Sequence, residues 1–137
     1  MPIERRLRLL VMLILCMVIL VLHLMPRPSI ETWHGRFFNA YLVDILLPAY
    51  LFVLFSLNTF RLSDKFRMHP LQTRLFMAGF VFLIGVTIET LQYFHVPILG
   101  RTFDPLDFLM YLFGVMIGLG IDFCVVRGSE MIKNRVS

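Results

Sequence analysis

Long apolar runs alternate with short polar stretches along this chain, and the length of the runs carries the first inference. Residues 9–25, 40–57, 75–94 and 106–126 are nearly devoid of charge. Each is close to the roughly 20 residues an α-helix needs to cross a hydrocarbon core about 30 Å thick. A helix on the surface of a soluble domain would place polar residues at a 3.6-residue period to keep one face wet, and these runs do not. The pattern therefore predicts an all-α integral membrane bundle of about four transmembrane helices, forming a single domain over 1–137. The sequence has no internal repeat, low-complexity tract or linker that would divide it.

The polar stretches set ends and orientation. Arg5, Arg6 and Arg8 precede the first run in the manner of a signal sequence, but that run ends in Met25-Pro26-Arg27-Pro28 without the small-residue pair of a cleavage site. An uncleaved signal anchor is expected. Trp33, in the first loop, suits the headgroup level, and Pro97 and Gly100 bound the loop between the third and fourth runs. Residues 58–74 read as a loop and 127–137 as a polar tail. The N-terminal stretch, the second loop and the tail hold ten of the 13 Lys and Arg residues, and Arg27, Arg36 and Arg101 are the other three. The richer side stays cytoplasmic, so both termini are expected in the cytoplasm and the first and third loops outside.

Composition agrees with this picture: 58% of residues are hydrophobic, 16% charged, and the mean hydropathy is +0.80. The net charge of +4 is spread between apolar runs rather than gathered on one face, which argues against a nucleic-acid partner. Cys16 and Cys124 fall at different depths, so a disulfide between them is not expected.

Acidic residues inside the runs are the informative ones, because a carboxylate at the centre of a lipid-facing helix costs about 2.5–3.5 kcal/mol on insertion scales. Glu89 and Gln92 share one helical face with Gly85. Asp107, Tyr111, Gly114 and Gly118 form a second stripe, whose Gly114 and Gly118 allow close helix packing. If the third and fourth helices pair through these stripes, Glu89, Gln92, Asp107 and Tyr111 converge near the outer surface. Arg101 would then be their counter-ion and Asp44 a further contributor. Asp104 and Asp107 also read simply as helix-start residues, with Pro105 at the first position. Asp122 reads as a partner of Arg127 or of the headgroups. His23, His34 and His95 lack ligand spacing on any one helix, so neither a metal nor a cofactor is expected.

The segments G-V-T-I-E-T-L-Q-Y-F, from Gly85, and G-R-T-F-D-P-L-D-F-L-M-Y-L-F-G-V-M-I-G, from Gly100, resemble the VanZ-like family of small bacterial membrane proteins. The matching positions are Glu89, Gln92, Arg101, Asp104, Asp107, Gly114 and Gly118. Tyr111 stands where the family usually has Asn, and His34-Gly35-Arg36 stands where it usually has a Lys and His signature. The resemblance implies a bacterial inner-membrane protein of the cell envelope, in a family whose namesake confers low-level antibiotic resistance to the glycopeptide teicoplanin.

Three functions compete. The first is a binding module whose outward pocket takes a membrane lipid headgroup, a lipid-linked envelope precursor or a lipophilic glycopeptide. The second is a small proton-coupled transporter using Glu89 and Asp107, which would call for a homo-oligomer because four helices enclose little volume. The third, an intramembrane lipid-modifying enzyme, ranks last, since the sequence shows neither a nucleophile set nor a metal set.

Overall fold

Inside a bilayer no water is at hand for unpaired backbone groups, so an apolar run must close its hydrogen bonds within itself, as a helix does. The computed structural model of the chain describes residues 3–24, 35, 41–94, 96 and 104–136. All regular elements among them are helices: α1 (Ile3–Leu24), α2 (Leu42–Ser56), α3 (Thr59–Phe66), α4 (Pro70–Tyr93) and α5 (Pro105–Val136). Helices α1, α4 and α5 are long and apolar enough to cross a membrane. With 15 residues, α2 is apolar but only about 22 Å long at 1.5 Å per residue.

The helices outrun the apolar runs that foretell them. Helix α1 begins at Ile3, and α5 continues to Val136 through the stretch read as a polar tail. Backbone hydrogen bonding does not stop where hydrophobicity stops, and the added residues include good helix formers such as Glu, Arg and Lys. The start of α4 at Pro70, ahead of its apolar run, is set by a capping box. The Leu71 N–H donates to His69 Nδ1 at 3.3 Å, the His69 N–H donates to Gln72 Oε1 at 3.1 Å, and Pro70 occupies the first turn. The loop expected over 58–74 contains α3, which ends where Arg67 turns left-handed (φ 52°) and the Met68 N–H reaches the Ser63 carbonyl at 3.1 Å.

Helices α1, α2, α4 and α5 alternate in direction. Hydrogen bonds join the start of α1 to the end of α2 and the latter part of α5, while others join the start of α5 to the starts of α2 and the end of α4. Helix α2 packs most extensively on α5 and also touches α1 and α4. A Cβ at Gly114 would overlap the Ile45 carbonyl oxygen, and one at Gly118 would lie 2.9 Å from Phe52 Cβ and 3.0 Å from the Ala49 carbonyl oxygen. The glycine stripe expected against the third apolar run therefore receives α2. Helix α4 meets α5 through a side chain, with the Tyr111 ring seated over Gly85, where a Cβ would come 2.6 Å from Tyr111 Cδ2. A ring between α4 and α5 holds their backbones apart, and that leaves the small-residue groove free for α2.

The centre of the bundle is Phe52, Met77, Ala78, Val81 and Val115. Helix α1 is peripheral: its only buried residue is Arg8, while Leu10, Leu13, Ile14 and Leu24 are exposed. Exposed leucine beside buried arginine inverts the order of a soluble protein and suits a helix facing lipid tails.

Candidate functional site

At one end of the bundle the close of α4 meets the openings of α2 and α5. Glu89, one turn before the end of α4, is 1% exposed, and its Oε1 accepts a hydrogen bond from the Tyr111 hydroxyl at 2.9 Å. Its Oε2 is also buried and has no hydrogen-bond partner among the described residues. Gln92 is buried on the same face. Asp44 and Asp107 are half-buried, and Asp44, Glu89, Asp104 and Asp107 lie near enough to act on one another electrostatically. Gly85 admits the Tyr111 ring and so aims its hydroxyl at Glu89. Pro48 lacks an N–H, which leaves the Asp44 carbonyl one turn earlier without its helical donor and adds another acceptor to this end.

Asp104 performs the helix-start role. Its Oδ1 accepts from the Leu106 N–H at 2.9 Å, and its carbonyl accepts from the Asp107 N–H at 3.0 Å. Its Oδ2 accepts from the Tyr41 hydroxyl at 3.1 Å, which ties the start of α5 to the residue preceding α2. Tyr41 was not foreseen, and nothing in the sequence marks it beyond an aromatic at a run's edge.

The structure thus brings together Glu89, Gln92, Asp107, Tyr111, Asp104 and Asp44. Arg101, expected as their counter-ion, lies outside the described residues, as do His34 and His95. Among the described residues, no group of three or more His, Cys, Asp or Glu side chains is placed to hold a metal ion. The site is rich in acceptors. What it can do chemically is hold a hydrogen-bond donor, best a cationic one, against the free Glu89 oxygen.

A second polar layer lies at the opposite end. Arg8 donates from Nε to Asp122 Oδ1 at 2.8 Å and from Nη1 to the Ser56 carbonyl at 2.8 Å, and it pairs through Nη2 with Glu4 at 2.6 Å. Arg74 Nε donates to Asp122 Oδ2 at 2.7 Å. Asp122 is 1% exposed and Arg8 3%. The reading of Asp122 as a partner of Arg127 or of the headgroups is corrected here: it is the buried link between α1, α4 and α5. Arg8, counted among the basic residues that set the orientation, is buried with it, and its hold on the Ser56 carbonyl caps the C-terminal end of α2 with positive charge. The signal was present in the sequence, since Asp122 sits one turn beyond Gly118 on the helix-packing stripe and so points at a neighbouring helix.

Comparisons of the chain with protein-family models, with curated proteins and with solved structures return no match.

Proposed function

We propose that this chain is a VanZ-like protein of the bacterial inner membrane, crossing it four times with α2 as the fourth span and both termini cytoplasmic. Its outward pocket binds the amine-bearing head of an envelope lipid, a lipid-linked precursor or a lipophilic glycopeptide. The observation behind this reading is the Glu89 carboxyl. A buried acceptor oxygen with no donor among the described residues costs free energy, and that cost is relieved when a ligand brings an N–H to it. The neighbouring Asp44, Asp104 and Asp107 favour a donor that carries positive charge.

Transport has less support. Between the two polar layers the bundle is filled by Phe52, Ala78, Val81 and Val115, which offer no chain of proton-exchanging groups.

The test compares wild type with Glu89→Gln at matched levels of folded protein. It reads the host's susceptibility to teicoplanin against that to an unrelated antibiotic, together with the unfolding temperature of the purified protein with and without teicoplanin or phosphatidylethanolamine. Ligand-dependent stabilisation that is lost in Glu89→Gln supports the reading. No stabilisation by either compound and no shift in susceptibility removes it.

A further inference from the structure

On the Arg8 side of the bundle, apart from the Glu89 pocket, a cavity of about 350 Å³ opens between α3, the end of α2 and the first half of α4. That volume falls within the roughly 300–1,000 Å³ range of ligand pockets. Its walls are apolar apart from Thr73, and the rings of Phe55 and Phe80 meet edge to face across 5.7 Å to form one side. Phe66, Phe76 and Phe80 are exposed at its edge, so it communicates with the surroundings of the bundle.

Charge adjoins the lining. Lys65 and Arg67, exposed at the end of α3 and in the turn that follows it, alternate in sequence with the lining residues Phe66 and Met68, against the exposed carboxylate of Asp64. The Lys65 ammonium stands 5.8 Å from the centre of the Phe66 ring, which itself lines the cavity. Helix α3 follows directly on the end of α2, whose Ser56 carbonyl belongs to the basic end of the bundle. Cations thus lie beside the mouth of an apolar slot, at the level where a spanning helix gives way to polar chain.

An apolar cavity does not hold water, and in a bilayer the phase that meets it is hydrocarbon. Filling it with an acyl chain brings no hydrophobic gain, because lipid tails are already apolar, so selection among lipids must come from the headgroup. Lys65 and Arg67 supply that selection, with Arg67 able to hold phosphate oxygens through its forked guanidinium.

We propose that the α3–α4 cavity is a binding site for an anionic phospholipid, one acyl chain lying among Phe55, Phe66, Phe76 and Phe80 and the phosphate held by Lys65 and Arg67. This site is independent of the Glu89 pocket, and its test does not involve that pocket.

The full chain, with Trp33→Phe in the background, is reconstituted with Phe80→Trp as a reporter in the cavity. In separate samples Leu13→Trp, on the lipid-facing side of α1, reports on bulk lipid. Quenching is measured with phosphatidylglycerol or phosphatidylcholine brominated on the acyl chains. Quenching at Phe80→Trp is expected to favour phosphatidylglycerol roughly fivefold or more in effective affinity, the order set by two cations near an anionic headgroup. That preference should be absent at Leu13→Trp and lost on adding Lys65→Gln with Arg67→Gln. Should Phe80→Trp fail to fold, Phe66→Trp takes its place as reporter. Equal quenching by the two lipids at the cavity, or a preference that survives loss of both cations, overturns the proposal.

Discussion

Glu89 and Asp122 are both carboxyls buried to 1% exposure, yet their surroundings give them opposite characters. Asp122 has one arginine on each oxygen and is a structural joint. Asp122→Asn leaves Arg74 without a charged partner and Arg8 with Glu4 alone. It should destabilise the bundle by about 3–5 kcal/mol, the usual cost of breaking a buried pair from one side. Arg74→Met leaves the Arg8–Asp122 bond in place and should cost less, about 1.5–3 kcal/mol. Reversible unfolding in detergent reads both values, and equal losses would show that Asp122 is not the joint. Glu89, by contrast, has a single donor among the described residues. Tyr111→Phe strips it away and should cost roughly 1–3 kcal/mol for a buried acceptor left unmade. Glu89→Leu in the Tyr111→Phe background should recover most of that loss, and a double-mutant cycle measures the coupling.

Helices were legible because lipid imposes one rule, apolar length, and three of the expected spans appear as helices long enough to cross. Which helix packs on which was not legible in the same way. The stripe at Gly114 and Gly118 announces a close approach but not its partner, and the choice of α2 follows from the bulk of Tyr111 on the α4 side. Residues 59–66 escaped notice because eight residues mixing Arg, Asp and Lys with Phe and Leu carry no run length, and their helix forms on the flank of α4. At the site, Glu89, Gln92, Asp107 and Tyr111 were readable from the cost of polar groups inside apolar runs. Tyr41 was not, because an aromatic at a membrane edge is ordinary. The glycines allow a contrast within one helix. Gly114→Ala must push α2 away from α5 and should destabilise by about 1–3 kcal/mol. Gly120→Ala meets nothing within 4 Å and should stabilise by about 0.5–1 kcal/mol through helix propensity alone. Unfolding of the two variants side by side checks the pair, and a loss at Gly120 equal to that at Gly114 would contradict the packing described.

For the molecule as a whole, the two polar layers and the apolar centre between them act as a gauge of depth. Arg8, Ser56, Arg74 and Asp122 fix one level; Glu89, Tyr111, Tyr41 and Asp104 fix the other. The exposed cations Arg5, Arg6, Arg61, Lys65, Arg67, Arg127, Lys133 and Arg135 all belong to segments on the Arg8 side, the acid-rich pocket to the other. The proposed orientation keeps these Lys and Arg residues in the cytoplasm and turns the Glu89 pocket outward, as the proposed function requires. Single cysteines introduced as Lys65→Cys and Asp104→Cys, in a chain whose Cys16 and Cys124 are replaced by serine, turn this into a measurement. A membrane-impermeant maleimide added to intact cells should label Asp104→Cys and leave Lys65→Cys untouched until the membrane is permeabilised. The reverse labelling would turn the acidic pocket toward the cytoplasm. Binding of an envelope ligand from outside would then be ruled out, while the internal architecture of the bundle would stand unchanged.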